Sequence, residues 1–309
     1  MPDSAHKPVL LTEVLAALQP RPGGCYADGT LGQGGHAAAI LAASSPHGRL
    51  YGCDRDSAAI EAVRRRLAEF AGRFDIRQGN FADLAGWVPP DSCDGVLLDL
   101  GVSSAQLGEA GRGFSFQGDG PLDMRLDTNQ SATAGEFVNS LGAEELAKIF
   151  WELGGEANAR RLARAIVEAR QHRRLETTRQ LAELIERVTP RRGKKTHPAT
   201  RAFQALRIAV NDEMGSLNRG LGEMMRILKP GGRLAVITFH SLEDRIVKAY
   251  GRAGARDYTY AGAVDVPELR QPRVPELKLV TRRAMKAGAA ELMENPRSRS
   301  GQLRVMEKT

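Results

Sequence analysis

Residues 28–36 constrain the fold of this chain more than any other stretch. Asp28-Gly29-Thr30-Leu31-Gly32-Gln33-Gly34-Gly35-His36 joins a short apolar run, Cys25-Tyr26-Ala27, to a helix-favouring run, Ala37-Ala38-Ala39-Ile40-Leu41. Strand, glycine turn and helix start, in that order, open a βαβ unit. A turn made of glycines also lets a ligand come close to the backbone, so this is where a nucleotide-type cofactor is expected.

The strand–helix rhythm persists beyond the turn. Strands are expected over 25–28, 50–53, 75–78 and 95–99, with helices over 37–43 and 57–70, the second capped by Asp56 or Ser57. Alternation at this pace implies parallel strands with helices on both faces. It breaks at 101–121, where Gly111-Arg112-Gly113 and Gly118-Asp119-Gly120 mark loops. Helical patterns then cover 143–153, 157–172, 177–188 and 199–211. A strand returns at 233–239 after the helix stop Lys229-Pro230-Gly231-Gly232, and 277–281 with 302–306 read as a closing antiparallel pair. The expected class is α/β, a Rossmann-like doubly wound sheet interrupted after its fourth strand. One discontinuous domain covers 1–104 and 211–309, and a helical insertion covers 105–210.

Composition narrows the function classes. With 42% hydrophobic residues in 309, a substantial core is expected. No apolar run reaches the length of a membrane span, and Met1-Pro2-Asp3-Ser4 does not read as a signal peptide. Cys25, Cys53 and Cys93 are far apart, with no C-x-x-C, so neither a metal site nor a disulfide framework is expected. Each reads as a small buried hydrophobe beside a strand, which fits a reduced, cytoplasmic protein. The net charge of +7 is concentrated: residues 156–201 hold thirteen Arg and Lys against five Glu, more than the whole excess. Such a segment is expected to meet a polyanion, with a solvated helical surface as the plainer alternative.

The spacing Gly32-x-Gly34-x-x-Ala37 fits G-x-G-x-x-[GA], which allows a dinucleotide. Asp54 stands twenty residues beyond Gly34, where a carboxylate accepts from ribose hydroxyls, and NAD and S-adenosylmethionine both carry that ribose. Charge separates them. Asp28, Asp54 and Asp99 fall at three strand ends, where a pyrophosphate meets repulsion and a sulfonium cation meets attraction. S-adenosylmethionine is therefore the expected cofactor. His36 reads equally as a helix-start residue, Phe81 as a core aromatic or a platform for adenine, and Gln106 carries no signal by itself. Asp99-Leu100-Gly101-Val102-Ser103-Ser104 opens a loop beside the cofactor edge. There Asp99 either accepts an N–H from a nucleobase amine, keeping that nitrogen nucleophilic, or only anchors the cofactor. No cysteine stands at this strand end, so attack on a pyrimidine carbon is disfavoured and nitrogen is the expected target.

Eight motifs in order carry a resemblance over nearly the full chain. They are His6-Lys7-Pro8-Val9-Leu10-Leu11, the 28–36 turn, Leu98-Asp99-Leu100-Gly101-Val102-Ser103-Ser104 and Arg112-Gly113-Phe114-Ser115-Phe116. Then come Gly120-Pro121-Leu122-Asp123-Met124-Arg125, His197-Pro198-Ala199-Thr200-Arg201, Phe239-His240-Ser241-Leu242-Glu243-Asp244-Arg245 and Asn295-Pro296-Arg297-Ser298-Arg299-Ser300. On these residues the chain resembles the bacterial 16S rRNA cytosine-N4 methyltransferase family. The resemblance implies a class I methyltransferase fold and cofactor contacts at Gly34, Gly35, His36, Asp54, Phe81, Asp99 and Gln106. It also implies N4-methylation of a 2′-O-methylated decoding-centre cytidine, position 1402 in standard rRNA numbering. The partner is then 16S rRNA within the small ribosomal subunit, and a homodimer is allowed. Three positions depart from the family pattern: Ala37 for a common serine, Ala105 for a proline before Gln106, and Gly301-Gln302 for Ala-Lys. Loss of the proline is expected to loosen the turn that holds Gln106.

A base in structured RNA must be extruded or met in an open conformation. The helical insertion is the expected reader. Arg191-Arg192-Gly193-Lys194-Lys195-Thr196-His197-Pro198 packs four cations into five positions between two helices, suited to phosphates. Arg201 and Arg297 are further RNA candidates. Three other classes compete: a dinucleotide-dependent dehydrogenase, a non-catalytic RNA-binding assembly factor, and a methyltransferase acting on a small molecule or another nucleic-acid amine.

Overall fold

The structure is a computed structural model and describes residues 7–190, 193, 197–260 and 265–309. The chain runs α1 (Leu11–Leu18), β1 (Cys25–Asp28), α2 (Gly35–Ala43), β2 (Arg49–Asp54), α3 (Ser57–Arg66), β3 (Phe74–Gln78) and β4 (Cys93–Asp99). Next come α4 (Ser104–Gly108), α5 (Ala134–Ser140), α6 (Ala143–Glu152), α7 (Ala159–His172), α8 (Thr178–Val188) and α9 (Ala199–Val210). It closes with α10 (Glu213–Ile227), β5 (Leu228–Thr238), α11 (Ser241–Gly254), β6 (Tyr258–Tyr260), β7 (Arg270–Pro272), β8 (Leu277–Leu279), α12 (Ala289–Glu294) and β9 (Gln302–Lys308).

Two compact units emerge, Met1–Gly101 with Gly215–Thr309, and Val102–Met214. The sequence drew the boundaries at 104/105 and 210/211. The second break falls later because apolar periodicity runs from α9 into α10 and hides the left-handed residue between them, Asp212 at φ 45°.

In the first unit the sheet order is β3-β2-β1-β4-β5-β9-β8. The strands β1 to β5 pair in parallel, and β9 runs antiparallel to both of its neighbours. This is the doubly wound class I sheet with its closing antiparallel strand. Alternation along β4 explains the two-sided burial. Leu97 joins Val14, Ile40, Leu41 and Val63 in one core, while Val96 and Leu98 join Leu221, Met224 and Val247 in the other. Each fully buried aliphatic side chain of this kind contributes about 1.5–3 kcal/mol.

Several elements differ from the sequence reading. The helix expected over 57–70 ends at Arg66 and gives way to a tight turn at Ala68–Phe70. Its cap is Asp56, whose carboxylate accepts the Ala58 N–H at 3.0 Å. Lys229-Pro230-Gly231-Gly232 stops the helix yet belongs to β5, as a bulge between the pairs Cys93–Leu228 and Gly95–Arg233. Gly231 at φ 77° makes that bulge possible. Helices α1 and α5 and the β6–β7 ribbon had no sequence signal. Cys53 and Cys93 are buried as expected, but Cys25 is only half-buried. Among the described residues, no helix is long and apolar enough to cross a membrane.

The second unit has its own core of Leu146, Phe150, Leu162, Ile166, Leu181 and Leu206. The glycine-rich stretch after residue 101 is fastened down. Arg112 donates to the Arg125 carbonyl at 3.0 Å, and Asn211 Nδ2 donates to the Met124 carbonyl at 2.7 Å. A Cβ on Gly113 would lie 2.2 Å from the Pro121 carbonyl oxygen, so only glycine lets those two loop segments touch.

Candidate cofactor and methyl-transfer site

Strand order reverses between β1 and β4, and the crevice beyond their carboxyl ends is where open α/β sheets hold ligands. The 28–36 turn crosses this crevice. The Gly29 N–H donates to the Leu97 carbonyl at 3.0 Å and the Leu31 N–H to the Cys53 carbonyl at 3.2 Å, tying the turn to both neighbouring strands. Gly32 and Gly34 sit at φ 51° and 72°, and Gly34 is the residue before α2. A Cβ on Gly29 would lie 2.5 Å from a Leu98 methyl, and one on Gly35 would lie 2.4 Å from Pro8. The glycines thus provide both the reversal and the close packing that open the first turn of α2.

The three aspartates named from the sequence gather at this edge. Asp28 is 1% exposed, and burial, with repulsion from Asp54, pushes its carboxyl up to about 7. The Thr30 N–H, donated to Asp28 Oδ1 at 3.0 Å, works against that rise. Asp54 is also raised by burial, although its two oxygens accept the Gly32 N–H at 2.8 Å and the Asp56 N–H at 2.9 Å. Asp54, which the Arg55 N–H also meets, therefore pins the glycine turn to the end of β2. Asp99 is raised well above the usual carboxylate range, first by burial and then by Asp28 and Glu243. Its backbone N–H donates to Thr30 Oγ1 at 2.6 Å, and its Oδ1 is buried without a hydrogen-bond partner.

His36 is 6% exposed, with Nε2 3.0 Å from the Val9 carbonyl oxygen. A carbonyl only accepts, so Nε2 carries the hydrogen. Nδ1 then faces Asp99 Oδ2 at 3.6 Å, beyond hydrogen-bond length. Phe81 starts the turn after β3, and its ring edge fills the space beside Gly220, where a Cβ would lie 2.4 Å from it. It is a core aromatic with 9% of its surface exposed.

Gly34, Gly35, His36, Asp54, Phe81 and Asp99 thus share one sheet edge, whereas Gln106 belongs to the second unit. A reciprocal cap closes the turn holding Gln106, with the Ser103 N–H donated to Gln106 Oε1 at 2.8 Å and the Gln106 N–H donated to Ser103 Oγ at 3.3 Å.

The RNA candidates fare unevenly. Arg191, Arg192, Lys194 and Lys195 lie outside the described residues. His197 helps hold the start of α9, since its Nδ1 accepts the Ala199 N–H at 3.2 Å and its ring lies 4.6 Å from that of Phe116. Arg201 is exposed but donates to the Gly155 carbonyl at 3.0 Å. Arg297 is exposed on the turn Pro296–Ser300.

Two site residues had no sequence signal of their own. Thr30 links the ends of β1 and β4 through its contacts with Asp28 and Asp99. Glu243, 1% exposed, accepts the Phe239 and His240 N–H groups at 2.8 and 3.2 Å and adds a fourth carboxylate to the field at Asp99. Such a site repels a pyrophosphate and fits a ligand bearing positive charge. The buried Asp99 Oδ1, the carboxyls raised by burial and then by one another, and the glycines of the turn together meet what a sulfonium nucleoside requires.

A family model described as the MraW methylase family matches residues 3–309. A protein of Geobacter sulfurreducens named ribosomal RNA small subunit methyltransferase H is 51% identical over 309 residues, covering 98% of this chain and 99% of that protein. Its namesake from Syntrophotalea carbinolica is 50% identical over 308 residues, covering 98% of each. A solved rRNA methylase from Streptococcus thermophilus superposes with a TM-score of 0.41 at 10% identity, covering 99% of both chains.

Proposed function

Because the chain belongs to the MraW methylase family, we propose that it is an S-adenosylmethionine-dependent methyltransferase of small-subunit ribosomal RNA, acting on cytidine N4. The observation that carries this reading is the buried Asp99 Oδ1, a proton acceptor without a partner at the switch point of the sheet. Bound there, S-adenosylmethionine supplies an electrophilic methyl group on a positively charged sulfur.

The chain's own residues do the rest. Gly34 and Gly35 admit the ligand to the backbone, Asp54 accepts from ribose hydroxyls while holding the turn, and the exposed rim of Phe81 lies against the adenine. Gln106 and His36 complete the set that the resemblance assigns. Asp28 and Asp99 place negative charge beside the sulfonium. Asp99 accepts an N–H of the cytosine amine, which withdraws the nitrogen lone pair from the ring and leaves it free to attack the methyl carbon. Asp99 would take the amine proton that methylation of the nitrogen makes surplus. Burial favours that transfer by raising the carboxyl's affinity for a proton.

The helical unit takes the role of RNA reader. Arg160, Arg161, Arg164, Arg173, Arg174 and Arg179 are exposed on it, in the segment that carries the excess charge. Arg191, Arg192, Lys194 and Lys195 follow in the sequence and are assigned to phosphates on charge alone, as are His197, Arg201 and Arg297. The cytoplasm is the compartment this substrate implies, and sedimentation decides the homodimer. Labelled S-adenosylmethionine incubated with small subunits from cells lacking the activity, followed by digestion to nucleosides, tests the assignment. Label in N4-methylated cytidine is expected, and label in any other nucleoside overturns it.

A further inference from the structure

The outer edge of the sheet holds a second concentration of cations, remote in sequence from the helical insertion. Strand β8 is outermost, and the chain after it follows β9 closely. Leu277 pairs with Lys308, Val280 donates to the Val305 carbonyl at 3.0 Å, and Met285 exchanges hydrogen bonds with Leu303 at 2.9 Å each way. Five residues of β9 separate these ends, so the edge extends for about 17 Å at about 3.4 Å per residue. Lys278, Arg282, Arg283 and Lys286 all project from it exposed to solvent. None of the four side chains has a hydrogen bond or ion pair among the described residues. By contrast Arg233, Arg270, Arg273 and Arg304 in the same unit all face carboxylates.

At the amino end of this edge stands the two-stranded β6–β7 ribbon. Its register pairs Tyr258 with Pro272 and Tyr260 with Arg270, which puts both tyrosines and Arg270 on one face. The Arg256 guanidinium lies 5.2 Å from the Tyr258 ring centre and 5.5 Å from that of Tyr260, and Arg270 lies 4.2 Å from Tyr258. Neither tyrosine belongs to a hydrophobic core, and both remain partly exposed. Asp265 accepts from both the Tyr258 hydroxyl and Arg270 Nε at 2.7 Å, which ties the ring to the guanidinium.

We infer that this edge is a second RNA-binding track, in which Lys278, Arg282, Arg283 and Lys286 meet phosphates and the Tyr258–Arg270 stack receives an unpaired base. Guanidinium planes and tyrosine rings stack on bases without regard to sequence, and unpaired lysines and arginines release counterions when phosphate replaces them. Charge on an edge strand also discourages edge-to-edge pairing of chains. Protection of the edge explains Lys278 but neither the cations of the following turn nor aromatic rings placed against arginines outside a core.

The inference rests on the ribosomal RNA reading above. The test is the variant Lys278→Glu/Arg282→Glu/Arg283→Glu/Lys286→Glu in the full chain, assayed for binding to small subunits across a salt series and for S-adenosylmethionine binding by calorimetry. Unchanged cofactor affinity shows a folded site. The expected result is at least about tenfold weaker subunit binding at 0.1 M salt, with the slope of log K against log salt reduced by about 3. The four-glutamine version removes the same four phosphate contacts, so it gives the same slope change of about 3 with a smaller loss of affinity, and it stands in if charge reversal prevents folding. Tyr258→Ala is expected to weaken binding with the slope unchanged. Affinity and slope within twofold of wild type in the charge variants overturn the track. So does a shift from dimer to monomer with RNA binding intact, which makes the edge a contact between copies of the chain. A wild-type chain that neither binds nor methylates small subunits overturns the functional reading instead, and the track falls with it.

Discussion

Replacing Asp28 by asparagine tests the electrostatics on which the site is built. Asp28 is 1% exposed, and its carboxyl is raised from 3.8 to about 7 by burial and by Asp54. The folded chain therefore holds this proton more tightly than the unfolded chain. Between about pH 4 and pH 7 the folded state carries the extra proton, so stability falls as pH rises through that window, and the full penalty applies above pH 7. At about 1.36 kcal/mol per unit of pKa, the penalty reaches about 4 kcal/mol at pH 8 and about 1.5 kcal/mol at pH 5. Asparagine cannot ionise and keeps an oxygen for the Thr30 N–H that Asp28 accepts at 3.0 Å. Asp28→Asn is thus expected to be the more stable protein, by a margin that widens by about 3 kcal/mol from pH 5 to pH 8. Urea unfolding followed by Trp87 fluorescence, in a Trp151→Phe background, reads the unit that contains Asp28. A margin constant to about 0.5 kcal/mol across that range refutes the reasoning.

Three further outcomes follow from the same geometry. Binding of S-adenosylmethionine at pH 7 should release about half a proton from Asp28, seen as a buffer-dependent heat in calorimetry; equal heats in buffers of different ionisation enthalpy contradict this. Asp99→Asn retains an acceptor but cannot take the amine proton, so methyl transfer should fall about 100- to 10,000-fold while cofactor affinity changes less than about tenfold. A transfer rate within threefold of wild type removes Asp99 from the chemistry. Lys194→Glu/Lys195→Glu should weaken RNA binding and flatten its salt dependence with cofactor affinity intact, and undiminished methylation of small subunits counts against that loop as a phosphate grip.

The parts legible in the sequence were those fixed by local chemistry. Val96-Leu97-Leu98 ends at Asp99, and the 28–36 turn announces strand, reversal and helix within nine residues, so the edge holding the aspartates was readable before any fold was known. Long-range terms were not readable. Glu243 looks like an ordinary helix-start glutamate, and only the pairing of β4 with β5 brings its charge to bear on Asp99. The contact of His197 with Phe116, some eighty positions away in the chain, was equally beyond the reach of local pattern. Gly231 and Gly232 read only as part of a helix stop because a bulge inside a strand has the same local composition as a turn. The β6–β7 ribbon was missed because its strands are three residues each, too short to show alternation.

The antiparallel placement of β9 has a consequence for how the chain is made. Residues 302–308 are synthesised after every other strand of this sheet, yet β9 lies between β5 and β8, which pair with it and not with each other. Until that segment clears the exit tunnel, β5 presents an open edge and the β8 segment has no sheet to join. A nascent chain therefore carries its glycine turn and all of its site aspartates in place while the sheet behind them is still unfinished. Shielding of that open edge, for as long as translation from β5 to β9 takes, becomes part of the folding requirement.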